Sequence, residues 1–120
     1  MSTAPATPAL SDAEYRRETD ELLARIEATT DRWLDDDVVD IDTHRNGGLL
    51  ELSFEDGSKI VVNTQPPLHE LWLASRAGGY HFRHEAGSWV DTRDGTPFLE
   101  VLSREASTQA GKTLRFSGSA

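Results

Sequence analysis

The sequence predicts an α+β fold, a two-layer sandwich in which N- and C-terminal helices pack on one face of an antiparallel β-sheet. Three observations carry it: an apolar stripe at helical spacing near the start, regular glycine punctuation between alternating segments in the middle, and a second short amphipathic stretch near the end. A length of 120 residues with 37% hydrophobic content gives one core and one domain.

Residues 1–10 are rich in Ala, Thr and Pro, lack periodicity and read as a disordered tail. The domain is expected over 11–116, with a flexible tail at 117–120. Ser11 or Asp12 can cap the first helix, and Tyr15, Thr19, Leu22, Leu23, Ile26, Thr30 and Trp33 recur at three- and four-residue steps. The helix should end near Trp33. Its outer rows are acidic: Glu14, Glu18 and Glu21 on one, Asp20, Glu27 and Asp31 on another.

Asp35, Asp36 and Asp37 form a polar loop, after which Val39, Ile41 and Thr43 alternate with Asp40, Asp42 and His44 as in a half-buried first strand. Asn46-Gly47-Gly48 and Asp56-Gly57 then separate Leu50, Leu52 and Phe54 from the strand at 60–63. Such turns supply the positive φ of tight hairpins, so the chain reads as a meander. Pro66-Pro67 interrupts it, residues 71–75 resume it, Gly78-Gly79 turns it, and 80–83 and 88–90 complete five to seven strands. Thr96 as cap and Pro97 at the first helical position open the second helix, which buries Phe98, Leu102 and Ala106 and stops at Gly111. Leu114 and Phe116 are expected to tuck a short tail onto the core.

The net charge is −9, and its distribution matters more than its sum. Residues 12–42 hold twelve acidic residues against four arginines, net −8; the rest holds nine against eight, net −1. An acidic face repels nucleic acid and anionic lipid and attracts cations or a basic protein. No segment has the length of a membrane span or the plan of a signal peptide, so the protein is expected to be cytoplasmic. Zero cysteines exclude thiolate chemistry and disulfides.

Neighbouring carboxylates such as Asp40 and Asp42 on one strand face stand about 6 to 7 Å apart. They repel by roughly 0.6 to 2.5 kcal/mol per pair for dielectrics of 80 and 20. Oxygen ligands with one imidazole suit hard or borderline ions, and these lack the convergence of a closed site, so weak, multiple, surface-exposed binding is expected. A plain solvated acidic face is the competing reading. Asp40, Asp42, His44 and Glu51 fall at calcium-loop positions, but Arg45 stands where glycine is required, and an EF-hand is rejected. His81 and His84 would face opposite sides of a strand, which argues against a shared metal. His69 carries no signal alone. No nucleotide or hydrolase fingerprint occurs. Trp72 between Leu71 and Leu73 should place its indole on the open sheet face near Asn63 and Gln65, as a partner hot spot or as a ring covered by loops.

These segments together resemble the bacterial frataxin family, the CyaY type. The matching residues are Asp40-Ile41-Asp42, Asn46-Gly47-Gly48, Leu52 with Phe54-Glu55-Asp56-Gly57-Ser58-Lys59-Ile60, and Asn63-Thr64-Gln65-Pro66-Pro67. Leu71-Trp72-Leu73-Ala74, Gly78-Gly79-Tyr80-His81-Phe82 and Gln109-Ala110-Gly111 follow in order, so that the likeness spans 11–116. The resemblance implies weak surface binding of iron (Fe²⁺ or Fe³⁺) and a role in iron-sulfur cluster assembly as iron donor or sensor and regulator. The implied partners are the cysteine desulfurase and the scaffold protein, met by a monomer that metal could drive into oligomers.

The metal candidates are Glu27, Asp31, Asp35, Asp36, Asp40, Asp42 and His44. The partner-binding candidates are Asn63, Gln65 and Trp72 on the sheet, with Glu18 and Asp20 on the helix. No enzymatic activity is expected beyond the weak ferroxidase chemistry suggested for some relatives, and an acidic docking module with incidental metal binding is the alternative. Relative to the family, His44 stands where a carboxylate is usual, Ala28 where a second acid is common, and the loop between Leu34 and Val39 is one residue longer. No arginine-rich transit segment precedes the domain, which favours a bacterial protein.

Overall fold

The computed structural model describes residues 9–118, so most of the expected N-terminal tail and the last two residues lie outside the described residues. Within it, Leu10 packs against the core rather than trailing from it. Ser11 caps the first helix, α1 (Asp12–Asp35), in a capping box: its hydroxyl accepts from Glu14 N–H at 3.1 Å and its own N–H donates to Glu14 Oε1 at 2.9 Å. Leu10 and Tyr15 occupy the staple positions on either side of that cap.

α1 buries the predicted stripe and Thr29 as well, and runs two residues beyond Trp33 because Asp36 N–H still finds the Arg32 carbonyl. Asp35 therefore belongs to the helix, not to the loop.

Six strands follow in a simple antiparallel meander whose spatial order equals chain order: β1 (Asp42–Asn46), β2 (Leu49–Ser53), β3 (Lys59–Gln65), β4 (Glu70–Ala74), β5 (Gly79–Glu85) and β6 (Ser88–Asp91). Leu50, Leu52, Ile60, Val62, Leu71, Leu73, Phe82 and Trp89 form the inner face of the sheet, buried under the helices. β1 starts at Asp42, not at Val39 as the alternation predicted. The physical reason is on the neighbouring strand: β2 ends at Ser53, opposite Asp42, and Phe54 then turns back onto Ser58, leaving nothing for Asp40 and Ile41 to pair with.

The second helix, α2 (Phe98–Ala110), starts one residue later than expected. Thr96 is not its cap: the chain remains extended through Pro97, which bridges to Val90, and Thr96 N–H is taken by Asp94 Oδ1 at 3.0 Å. The stop at Gly111, with φ of 71°, is the left-handed cap expected of glycine. α2 is fixed to the sheet by polar as well as apolar contacts. Buried Gln109 accepts from Arg76 N–H at 2.9 Å and donates to the Lys59 carbonyl at 3.1 Å, while Glu105 accepts from Ser75 Oγ at 2.7 Å. Leu114 and Phe116 are buried as expected, their backbone amides held by the hydroxyls of Ser107 and Ser103. No helix among the described residues is long and apolar enough to cross a membrane.

Candidate functional site

The acidic residues gather along the edge of the sandwich formed by α1 and the edge strand β1, and they divide there into two groups. In β1, Thr43 and Arg45 are half-buried and lie opposite buried Leu52 and Leu50, so they face the helix layer. Asp42 and His44 are exposed, lie opposite Ser53 and Glu51, and face the open side of the sheet. The helix carboxylates and the strand carboxylates thus flank the edge from opposite sides instead of forming one continuous face.

Between them stands Arg45, which sequence reasoning noticed only as the residue that spoils a calcium loop. Its guanidinium donates to Asp20 Oδ1 at 3.0 Å and to Glu27 Oε1 at 3.1 Å, with three quarters of the side chain covered. Two of the candidates, Asp20 and Glu27, therefore already hold a cation supplied by the chain. Glu51 is likewise paired, with Lys59 Nζ at 2.9 Å. By contrast, among the described residues no ion pair engages Asp31, Asp35, Asp36, Asp40 or Asp42. All five are exposed, and Glu18 on the helix is half-buried. Among the described residues no three carboxylate or imidazole groups converge as the ligands of one ion. An oxygen-rich donor set of this kind fits hard or borderline cations held loosely, each by one or two protein groups with water completing the shell.

The open sheet face carries the second set of candidates. Trp72 lies directly opposite Asn63 on β3 and His81 on β5. Its indole is half-buried rather than fully exposed, and what covers it is not a loop: the His81 ring stacks on it, with centroids 4.1 Å apart and planes 6° from parallel. Trp72 Nε1 donates to Glu70 Oε1 at 2.8 Å. Gln65 lies opposite Glu70, which completes a patch of amides, one indole and one imidazole. His84 faces the core side, its ring edge-on to Trp89 at 5.1 Å, so the two histidines do occupy opposite faces.

The strand that presents Trp72 is anchored from below. The Tyr15 hydroxyl accepts from Gln65 N–H at 3.0 Å and donates to the Glu70 carbonyl, which ties α1 across the short 3-10 turn at Pro66–Leu68. Burial pushes the Tyr15 pKa upward, the Gln65 hydrogen bond opposes that shift, and the Glu70 charge adds to it. His69 closes the turn with φ of 51°, stacks on Tyr15 at 4.7 Å and meets Asp12 Oδ1 at 2.7 Å.

Comparison with known proteins agrees with this architecture. The family model described as a frataxin-like domain matches residues 8–112. An iron-sulfur cluster assembly protein CyaY from Variovorax paradoxus is 49% identical over 107 residues, 89% of this chain and 97% of that relative. The solved frataxin of Psychromonas ingrahamii superposes with a TM-score of 0.79 at 35% identity, covering 91% of this chain and all (100%) of that one. Trimeric frataxin from Saccharomyces cerevisiae, solved in complex with ferrous iron, has a TM-score of 0.64 at 27% identity over 91% of this chain and 94% of its own. Two helices on a six-stranded antiparallel sheet, the acidic edge and the Trp72 patch are thus found in a chain that belongs to the frataxin-like family.

Proposed function

We propose that this protein acts in iron-sulfur cluster assembly as an iron-binding donor or sensor that regulates the cysteine desulfurase–scaffold complex, and that it is not a conventional enzyme. The observation that carries the proposal is the run of exposed carboxylates at Asp31, Asp35, Asp36, Asp40 and Asp42, without an ion pair among the described residues, beside a separate, structured Trp72 patch. Iron is cargo in this reading, held weakly and released readily because no three ligand groups converge on it among the described residues. The CyaY relative, named for cluster assembly, and the yeast relative complexed with ferrous iron support the same assignment.

The two surfaces divide the work. The acidic edge attracts Fe²⁺ and a basic patch on the desulfurase, with Glu18 and Asp20 at its helical margin. The sheet face docks the scaffold through Trp72, Asn63 and Gln65, an aromatic anchor with amide hydrogen-bond partners around it. Reconstituted cluster assembly, run with and without the protein over a range of Fe²⁺, tests this: an iron-dependent change in rate is expected, and an unchanged rate at every iron concentration contradicts it.

A second reading has its own observation. Because Arg45 already pairs with both Asp20 and Glu27, an arginine from outside can pair in the same way with the remaining acids, making the edge a docking surface with incidental metal binding. Charge reversal of Asp31, Asp40 and Asp42 then abolishes desulfurase binding equally with and without iron. Weak ferroxidase activity with metal-driven oligomers is the remaining option; oxygen uptake above a buffer control, together with a mass increase on iron addition, would support it.

A further inference from the structure

Glu70, Trp72 and His81 are three neighbours on the open sheet face that share one oxygen. Glu70 Oε1 accepts from Trp72 Nε1 at 2.8 Å and lies 3.9 Å from His81 Nδ1, while the two rings stack at 4.1 Å. The indole thus has its only donor satisfied and one face covered, which leaves the other face for a partner. We propose that His81 is a positioning residue for Trp72, and that protonation of His81 fastens the indole in the pose a docking partner meets. The proposal deepens the reading of the sheet face as the scaffold-docking surface and rests on it.

The chemistry follows from the two states of the imidazole. A neutral ring stacks on the indole by dispersion alone. An imidazolium adds attraction to the π-face of tryptophan and to the Glu70 carboxylate. The other charged groups around His81 are accounted for. Arg83, two residues along β5 and opposite Glu70, is paired with Glu85 at 2.7 Å. Arg93, after β6, reaches the Gly79 carbonyl at 3.3 Å and Asp91 at 3.6 Å. On this face β3 contributes the neutral Asn63 and Gln65 and, at its far start, Lys59, which is paired with Glu51 at 2.9 Å; β6 contributes the neutral Ser88 and Val90. Glu70, 3.9 Å from His81 Nδ1, is therefore the nearest charge to the imidazole.

The sign is fixed by this arrangement: protonating the imidazole tightens the stack and strengthens docking, and removing the proton loosens both. An exposed cation–π contact of the usual strength corresponds to a change of about two- to fivefold in affinity.

The test uses the full chain and two readouts. Fluorescence of the wild type minus that of Trp72→Phe isolates Trp72 from Trp33 and Trp89, and is followed from about pH 8 to about pH 5.5. It is expected to titrate with His81, whose ring nitrogens are followed by NMR, and to become flat in His81→Gln. Affinity for purified scaffold protein from Variovorax paradoxus should rise about two- to fivefold over the same range. In His81→Gln it should be weaker and lose the part of the pH dependence due to this residue. His81→Phe, which stacks without titrating, should recover affinity but not the pH dependence.

Trp72 fluorescence that titrates identically in His81→Gln overturns the proposal, as does His81→Gln affinity equal to wild type at every pH. If fluorescence follows His81 but the wild type binds no scaffold at any pH, the docking reading falls and takes the partner half of the proposal with it. Equal melting temperatures for the variants separate these outcomes from loss of fold.

Discussion

At the β1 edge, Asp31, Asp35, Asp36, Asp40 and Asp42 bring negative charge together without a paired cation among the described residues. On the sheet face, Glu70, Trp72 and His81 bring together little net charge but hold one another by a hydrogen bond and a stack. The edge is a field, able to concentrate cations without fixing where they sit. The sheet face is a shaped surface, able to discriminate a partner by fit. The proposed weak cargo binding and specific docking ask for those two different constructions, and one small sandwich has room for both because its helices cover only one side of the sheet. Arg45 marks the boundary, pairing with Asp20 and Glu27 on α1 and with none of those five acids.

Breaking the sheet side should have the largest effect. Trp72→Ala is expected to weaken scaffold binding by about 2 kcal/mol or more, as truncation of a central aromatic anchor does, while Fe²⁺ binding at the edge stays unchanged. Isothermal calorimetry with scaffold and with Fe²⁺ reads the two halves separately; loss of both would mean the regions are not independent.

Breaking the edge tests the converse. Reversing Asp31, Asp40 and Asp42 to Lys should remove most Fe²⁺ binding, leave scaffold affinity within about twofold, and raise the melting temperature by about 2–5 °C because like-charge repulsion is relieved. A fall in melting temperature would mean that these acids are compensated by contacts that the structure lacks among its described residues.

Arg45→Gln sharpens the boundary. It uncovers Asp20 and Glu27, costs about 0.5–1 kcal/mol of stability for a partly covered ion pair, and extends the cation-binding edge along α1. Calorimetric unfolding and Fe²⁺ titration of the same variant check the two signs together. The smallest effect is expected from salt: raising NaCl from about 10 to about 300 mM should lift the wild-type melting temperature by a degree or two through screening of the edge.

Much of this organisation is written locally in the chain. The α1 stripe, the glycine turns and the Leu71-Trp72-Leu73 alternation are short-range patterns, and they yielded the sandwich and the face on which Trp72 stands. What they did not yield depends on elements distant in sequence. Asp40 looked like a strand residue until the length of β2 left it unpaired, and Asp20 looked like an open partner-binding carboxylate until Arg45, 25 residues on, reached it across the layers. The His81 stack is intermediate. A four-residue turn between Ala74 and Gly79 sets Trp72 opposite His81, so the register could have been read, but the stacked geometry and the shared Glu70 oxygen could not.

The central claim, that the edge takes iron while the sheet face does not, is tested most directly by anaerobic Fe²⁺ titration of the ¹⁵N-labelled protein. The expected result is broadening and shifting confined to amides near residues 31–44, saturating only at high micromolar to millimolar iron, with the amides of Asn63, Trp72 and His81 unmoved. Spectra unchanged at millimolar Fe²⁺, or perturbed on the sheet face instead, would contradict it.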